Sequence, residues 1–398
     1  MFLSLPMDVM EEMSAVGIGG CSTIDRSAIA GSLPELAGYL AAITPGQLAI
    51  IAGDEVYASQ AADDVARLAE TLGAPVYGSS WPSRIPFATS HPLWAGNLPT
   101  KASAIAETLG AYDAIFALGG KSLITILYTE GPAVPSGCQV FQLSADVRDL
   151  GRTYETPLSV VGEIKASLQM LQSLLDTATS PQRTIRAAQL HHAARQRSAA
   201  QRALDTEADA AMDAPVISPL VAAREAVRAI GPDIAIVDEA IATSSHVRKF
   251  LNSSSPNQYS FLRGGGLGWG MPAAVGCSLG LGRQPVVCLV GDGAALYSPQ
   301  AMWTAAHEML PVTFVVMNNR EYNVLKNFMK SQTNYLSARS NRFIAMDIDN
   351  PAIDYMALAE SFGLPARRVT RSRDIAAAIE SGIASGRANV VEVIIGTT

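Results

Sequence analysis

The sequence has few charged residues, few cysteines and no long apolar run. Its formal net charge is -7, so nothing in the charge balance favours nucleic acid as a partner. The four cysteines include no C-x-x-C pair, which argues against a disulfide framework or a zinc site and favours a reducing compartment. No apolar run reaches the roughly 18 residues of a membrane span, and the first residues lack the basic start of a secretory signal. These absences predict a soluble, cytoplasmic protein.

The sequence contains enough hydrophobic residues to form the cores of more than one domain. The chain has 398 residues, of which 48% are hydrophobic and 16% charged, so two or three domains with large cores are expected. In the first block, short apolar runs alternate with helical patterns, which is typical of a parallel sheet wrapped by helices. The predicted strands are residues 47–53, 75–80, 114–120 and 139–145, and the predicted helices include 57–72, 102–109 and 161–175.

A second block repeats this alternation after a polar stretch. The stretch at 177–212 is rich in Ala, Arg and Gln and is predicted to be a partly helical linker. Its adjacent His191 and His192 are expected on a solvated helix face, because no other metal ligand lies at suitable spacing. The second block has predicted strands at 234–240, 285–293, 311–319 and 389–396, and helices at 218–230, 299–309, 352–362 and 374–385.

The fold class predicted from these patterns is α/β, with two doubly wound parallel-sheet domains. We expect an N-terminal linker segment, a middle domain, a polar linker and a domain that carries the chemistry. Their predicted bounds are 1–30, 31–176, 177–212 and 213–398.

The most informative stretch runs from residue 285 to residue 319. It is predicted to form a strand, a Gly-Asp-Gly turn around Asp292, a helix with Ser298 as its N-cap, and a strand that ends at Asn318-Asn319. If the two strands are neighbours, the acid and the amides meet at the carboxyl edge of the sheet, where open α/β folds bind ligands. Oxygen ligands of this kind suit Mg²⁺ bridged to a diphosphate.

The Gly-Asp-Gly turn, 24 intervening residues and Asn-Asn resemble the thiamine-diphosphate signature. The resemblance implies that Asp292 and Asn319 are metal ligands through their side chains and that Glu321 is one through its backbone carbonyl. It also places four further residues beside the cofactor: Gly291, Gly293, Ala294 and Tyr322. A chance turn plus a polar strand end would explain either motif alone, but not both at the ends of buried strands.

A glycine-rich segment at 259–281 is similar to the family's stretch behind the cofactor. Gly265 and Gly266 match cofactor-binding positions, and Leu267 matches the bulky residue that wedges between the two rings of thiamine diphosphate. A dinucleotide fingerprint is the alternative, but no clear strand precedes these glycines and no suitable acid follows. A P-loop at 119–122 fails because Ile115 stands where that motif requires glycine.

The resemblance to benzoylformate decarboxylases extends over essentially the whole chain. Residues 83–99 resemble a middle-domain loop with a catalytic histidine, and the match falls on His91, for which an ordinary loop histidine is the alternative. Residues 319–328 resemble the substrate-pocket segment, with Leu325 and Phe328 on the substrate, although core packing would explain them equally well.

The sequence departs from this family at four places. Members begin with a pyrimidine-binding domain that carries the glutamate activating the cofactor, and the first residues here match the end of that domain. Ile241 and Ala242 replace a Thr-Ser pair that contacts the diphosphate, Ala294 replaces a common serine, and Arg320-Glu321 replaces small uncharged residues. Each missing hydroxyl removes a hydrogen bond of about 0.5–1.5 kcal/mol.

Three functions follow from the resemblance. The first is a thiamine-diphosphate- and Mg²⁺-dependent decarboxylase or carboligase of 2-keto acids, with a benzoylformate-like substrate favoured. It would act as a homo-oligomer, with the missing domain supplied by a separate chain or lost. The second is an inactive relative that keeps the fold, and the third is an acetolactate-synthase-like carboligase, which would usually add a flavin site in the middle domain.

Overall fold

The computed structural model describes residues 29–126, 130–178 and 183–397. They form two six-stranded sheets in which every pair of neighbouring strands is parallel, with helices packed on the sheets. This confirms the predicted fold class. None of the helices in these residues has the length and apolar character needed to span a bilayer.

The first sheet has the strand order β3-β2-β1-β4-β5-β6. Strands β1 and β4, at its centre, are buried along their whole length. The order reverses between these two strands, so a crevice opens at their carboxyl ends. The elements are β1 Leu48–Ala52, β2 Val76–Gly78, β3 Trp94–Asn97, β4 Ala114–Leu118, β5 Gln139–Ser144, β6 Leu158–Val161, α1 Leu33–Ala42, α2 Asp54–Ala58, α3 Ala62–Leu72, α4 Ala102–Leu109 and α5 Ile164–Ala178.

The long helix α6 spans Arg183–Ala210 and covers most of the segment predicted as a polar linker. It joins the first block to the second block. The first helix of the second block is α7, Pro219–Ile230. Ser218 caps α7 by accepting the backbone N–H of Val221 at 3.2 Å. The helix predicted at 218–230 is thereby confirmed.

The second sheet has the strand order β11-β12-β10-β9-β7-β8. The strand order reverses between the parallel strands β7 and β9. Strand β10 is buried along its whole length. The elements are β7 Ala235–Glu239, β8 Tyr259–Phe261, β9 Val286–Gly291, β10 Val312–Asn318, β11 Ala366–Val369, β12 Asn389–Ile394, α8 Ile241–Phe250, α9 Gly270–Gly280, α10 Asp292–Ala295, α11 Ala301–His307, α12 Asn323–Ser331, α13 Leu336–Ser340, α14 Tyr355–Ser361 and α15 Ile375–Ala384.

Residues 81–91 of the first block, here called the crossing segment, reach the second sheet and run antiparallel to β8. The backbone N–H of Phe261 donates to Ser83 O at 2.9 Å, and further along the segment the N–H of Ser90 donates to Ser253 O at 3.1 Å. Ser253 precedes β8, whereas Phe261 ends it. The segment therefore travels from the carboxyl edge of the second sheet to its amino edge.

The elements differ from the prediction in a few places. The helix expected at 57–72 is two helices, separated at Gln60, whose φ of 52° is outside the helical region. Strands β3, β6 and β11 were not predicted. Ser298 does not cap a helix: α11 begins at Ala301, and the Ser298 hydroxyl donates to Gly268 O at 2.6 Å.

The expectation that no clear strand precedes the glycine-rich segment is wrong. Strand β8 ends at Phe261, three residues before Gly264, so a short strand does precede the glycines. Its three residues are too few to be recognised as an apolar run in the sequence.

Candidate functional site

A cavity of about 300 Å³ opens at the carboxyl edge of the second sheet. The loops that follow β7, β8, β9 and β10 form most of its wall, and Trp81 of the crossing segment completes it. The cavity thus lies where the strand order reverses, which is where open α/β sheets bind their ligands.

Asp292 is the buried acid of this cavity. It follows the last residue of β9 and is 4% exposed. Its carboxylate accepts the backbone N–H of Gly293 at 2.8 Å and that of Arg320 at 2.6 Å. Burial raises the pKa of Asp292 to about 6, against the lowering effect of these two hydrogen bonds. The carboxylate therefore ties the turn after β9 to the turn after β10.

The two asparagines follow on the neighbouring strand. Strands β9 and β10 pair directly, with Met317 opposite Gly291, so the predicted adjacency is confirmed. Asn319 lines the cavity, and its side-chain oxygen accepts the N–H of Glu321 at 3.1 Å. Asn318 turns inward instead, where its amide donates to Glu392 at 2.6 Å. Of the pair, Asn319 is the residue that faces the cavity.

The donor groups at this edge fit Mg²⁺ bound with a diphosphate. One carboxylate and one amide oxygen, from Asp292 and Asn319, are hard oxygen ligands that leave coordination positions for phosphate oxygens. No group of three His, Cys, Asp or Glu side chains suited to a metal occurs in the described residues. A magnesium ion here would therefore rely on amide, carbonyl and phosphate oxygens beside its one carboxylate.

Arg320 has a backbone conformation that residues with a side chain rarely adopt. Its φ of 60° lies in the left-handed region, which costs a residue with a side chain roughly 1–2 kcal/mol more than glycine. The turn is kept in this conformation by the hydrogen bonds that its N–H donates to Asp292 and Asn318.

Gly293 allows Tyr322 to pack against the turn. A Cβ at Gly293 would lie 2.6 Å from Tyr322 Cε1 and 3.3 Å from Ile348 Cδ1. Both Gly293 and Tyr322 line the cavity. The close approach therefore requires a glycine, and it shapes the wall between Asp292 and Asn319.

We predict that Gly293→Ala displaces the Tyr322 ring and reduces stability by about 1–3 kcal/mol, the usual cost of overpacking. The thermal midpoint of the full chain measures this effect. Gly276→Ala is the matched control, because a Cβ at Gly276 meets nothing within 4 Å. Equal midpoints for the two variants would contradict the packing described here.

The glycine-rich loop contributes Gly265 and Leu267 to the wall. A Cβ at Gly265 or Gly266 would meet nothing within 4 Å, so this stretch borders open space. Leu267 is 37% exposed and therefore has an apolar side chain free to contact a ligand.

Much of the remaining wall is apolar. Ile241, Leu325, Ile395 and Trp81 all line the cavity. The Trp81 indole N–H donates to Arg263 O at 3.1 Å, and its ring packs edge-on against Phe261 with centroids 4.7 Å apart. These contacts fix the indole as a rigid apolar surface beside the polar edge.

Most of the predicted site residues lie together at this cavity. The predicted residues that line it are Gly265, Leu267, Gly291, Asp292, Gly293, Ala294, Asn319, Glu321, Tyr322 and Leu325. Gly266 lies beside the cavity without lining it. Phe328 lies one helical turn beyond Leu325 and packs against Tyr335, with ring centroids 6.2 Å apart.

The structure does not bring His91 to this cavity. The crossing segment has reached the amino edge of the second sheet at Ser90, about 16 Å from the carboxyl edge along the five-residue β7. The His91 ring lies 3.2 Å from the Glu70 carboxylate and accepts the N–H of Leu93. Its predicted role in proton transfer at the cofactor has no support from this position.

Trp81 and Glu239 are among the cavity residues that the sequence analysis did not predict. Trp81 sits in an irregular loop and gives no periodic signal. Glu239 ends the buried strand β7 and is itself fully buried. An acid at the end of an apolar run was a usable signal, of the same kind as the one that identified Asp292.

The fold and the site define a protein with two doubly wound units and, at the switch point of the second sheet, a cavity lined by Asp292 and Asn319. Comparison with known families agrees. Residues 45–171 match the central domain of thiamine pyrophosphate enzymes, and residues 242–393 match their C-terminal, thiamine-pyrophosphate-binding domain. The chain belongs to the thiamine pyrophosphate enzymes.

Individual members of that family to which the chain is similar include decarboxylases and synthases. A benzoylformate decarboxylase from Pseudomonas aeruginosa is 26% identical over 98% of this chain and 70% of its own length. An acetolactate synthase large subunit from Parasynechococcus marenigrum is 31% identical over 39% of this chain and 25% of its own length. The solved 4-hydroxybenzoylformate decarboxylase of Rhodococcus jostii superposes with a TM-score of 0.78 at 26% identity, over 95% of this chain and 66% of that one. The chain thus spans about two thirds of that solved relative.

Proposed function

We propose that the chain binds thiamine diphosphate through Mg²⁺ in this cavity and takes part in non-oxidative decarboxylation, or carboligation, of 2-keto acids. The observation that carries the proposal is the meeting of Asp292 and Asn319, from neighbouring strands, with Leu267 in one cavity. When bound, the cofactor supplies a carbon nucleophile and an electron sink for the loss of CO₂.

The chain's own residues would bind and orient the reactants. Asp292, Asn319 and the Glu321 carbonyl would hold the metal, and the glycines around Asp292 would let the backbone approach the diphosphate. Leu267 would set the angle between the two rings of the cofactor. The geometry supplies proximity, which is a large part of catalysis with a cofactor of this kind.

The apolar wall favours a substrate with an aromatic or other apolar side chain. Trp81, Leu325 and Ile395 offer ring and alkyl surface to such a side chain. Burying an aromatic ring against such surface excludes water and stabilises binding. This supports a benzoylformate-like acid over a small polar one.

The acid–base group is proposed to come from another chain. Each carboxylate that lines the cavity already accepts hydrogen bonds: Glu239 and Asp292 from backbone N–H groups, and Glu321 from Asn323 and Lys326. We propose a pyrimidine-binding domain on a separate chain as the source. A homo-oligomer is proposed as well, on the exposed apolar side chains of Trp303 and Met309 at α11.

The second candidate function is that of an inactive relative, and it is supported by Ile241 and Ala242. Both line the cavity without a hydroxyl, and the hydroxyl of the next residue, Thr243, donates to Ala240 O at 2.9 Å. An assay of benzoylformate with an added pyrimidine-binding domain separates the two candidates, since the inactive relative binds cofactor without releasing CO₂.

The flavin-containing carboligase is disfavoured by Glu55. At the switch point of the first sheet, the Glu55 carboxylate accepts the N–H groups of Gly120 and Ala145, both at 2.9 Å. A diphosphate bound at this edge would compete with the Glu55 carboxylate for these N–H groups. We predict that purified protein shows no flavin absorbance, and bound flavin would contradict this assignment.

The binding proposal is tested by thermal unfolding of the full chain with thiamine diphosphate, with Mg²⁺, and with both. We predict that only the combination raises the midpoint, by the equivalent of about 2.7 kcal/mol when the ligand is present at one hundred times its Kd. An unchanged midpoint at millimolar cofactor and magnesium would overturn the proposal.

A further inference from the structure

Glu239 is a buried carboxylate at the end of β7 with three backbone donors around it. Its Oε1 accepts the N–H of Gly268 at 2.6 Å and of Trp269 at 3.2 Å, and its Oε2 accepts the N–H of Gly270 at 2.6 Å. The residue is fully buried and borders the cavity. Both oxygens are thus committed to the loop that follows β8.

The local structure is built for this contact. Helix α9 begins at Gly270, so the N–H groups before and at its start have no acceptor within the helix, and a carboxylate satisfies them well. A Cβ at Gly270 would lie 2.7 Å from both the Cβ and Oε2 of Glu239. Only glycine at this position lets the carboxylate approach the backbone so closely.

The same loop is held from its other side by Ser298. The Ser298 hydroxyl donates to Gly268 O at 2.6 Å, while the Gly268 N–H donates to Glu239. Gly268 has a φ of 92°, a conformation in which residues with side chains are strained. Gly268 is therefore fixed at both of its peptide groups, directly after Leu267.

We propose that Glu239 is a positioning residue for the cofactor: it clamps Gly268–Gly270, and the clamp holds Leu267 in place beneath the organic rings. This inference rests on the proposed function, because it assigns Leu267 to thiamine diphosphate. Glu239 does not serve as the proton-transferring acid, since its oxygens are occupied by the backbone. Asp292 and Asn319 hold the diphosphate end independently of this clamp.

The test compares Glu239→Gln with the wild-type chain in two titrations, both with Mg²⁺. The glutamine keeps the volume but turns a donor toward one backbone N–H, so the loop loosens. We expect thiamine diphosphate to bind about ten- to one-hundred-fold more weakly, while inorganic pyrophosphate binds within about twofold of wild type. A general loss of structure would weaken both ligands equally, and that result, or no change in either, would overturn the proposal.

A double-mutant cycle tests whether Glu239 acts through Leu267. Glu239→Gln combined with Leu267→Ala should bind thiamine diphosphate within about twofold of Leu267→Ala alone, because the clamp has nothing left to position. Additive losses would contradict the proposed route. Glu55→Gln is the matched control, since it makes the same change in a carboxylate that accepts two backbone N–H groups at the other sheet.

Amide hydrogen exchange separates failure of the clamp from failure of the cofactor assignment. Without any ligand, Glu239→Gln and Ser298→Ala should each speed the exchange of the Gly268 and Gly270 amides at least about tenfold. Unchanged exchange would overturn the clamp whatever the cofactor. Faster exchange, with no binding of thiamine diphosphate to the wild type, would overturn the cofactor assignment and, with it, the positioning role.

Discussion

Asp292→Asn is expected to abolish the magnesium-dependent binding of thiamine diphosphate. The substitution removes the one charged ligand of the proposed metal and turns an amide donor toward the N–H of Gly293 or Arg320, which the carboxylate now accepts. Losing one partner of a buried, hydrogen-bonded charged pair costs about 2–5 kcal/mol. Calorimetric titration of the full chain with cofactor and Mg²⁺ measures the change.

The control for this variant is Asp146→Asn in the first sheet. Asp146 also accepts a backbone N–H at a carboxyl edge, that of Arg148 at 3.0 Å, but it lines a different cavity, which Glu55 and Gly119 of the first sheet also line. Its replacement should leave cofactor binding unchanged. If Asp292→Asn binds thiamine diphosphate as tightly as the wild type, the metal is held by other residues.

Arg224→Ala is expected to cause the largest loss of stability, about 3 kcal/mol. Arg224 on α7 is 0% exposed and donates to Glu225, to Asp209 and to the carbonyl of Asp205, of which the last two lie on α6. Its removal leaves a cavity in place of a fully buried side chain and takes the donor from three acceptors, and hydrogen bonds to a charged group contribute about 1.5–3 kcal/mol each. Urea unfolding followed by circular dichroism measures the effect.

Arg228 provides the comparison, because it lies one turn further along α7. Its side chain is 52% exposed and pairs with Asp205 at 2.8 Å. Exposed pairs contribute less than about 1 kcal/mol, so Arg228→Ala should unfold close to the wild type. Similar losses in both variants would mean that burial does not govern how α6 is held on α7.

The sequence carried enough information for the central strands and for the metal edge. Strands β1, β4, β9 and β10 are buried on both faces, and such strands read as continuous apolar runs. The acid and amides that end β9 and β10 stand out against those runs. Their meeting then follows from the pairing of neighbouring parallel strands.

Edge strands were missed because their exposure removes that signal. β11 has three exposed residues of four, and β6 has one buried residue of four. Without a continuous run or a clear alternation, neither differs from a loop in the sequence. The three residues of β8 are too few to form a recognisable run, so the sequence does not show that a strand precedes the glycine-rich segment.

Positions set by long-range contacts could not be predicted. The crossing segment passes along β8, so Trp81 lies at the cavity while His91 lies beyond the opposite edge of the sheet. This path depends on hydrogen bonds such as that between Phe261 and Ser83, which are 178 residues apart in the chain. The resemblance of residues 83–99 to a family loop identifies this segment, but it does not predict the direction in which the segment runs.

The most direct test is a crystal structure of the full chain grown with thiamine diphosphate and Mg²⁺. We predict an octahedral ion about 2.1 Å from oxygens of Asp292, Asn319 and the Glu321 carbonyl, with the diphosphate beside Gly291–Gly293 and the rings against Leu267. A cofactor bound with its metal away from Asp292 and Asn319 would contradict the account.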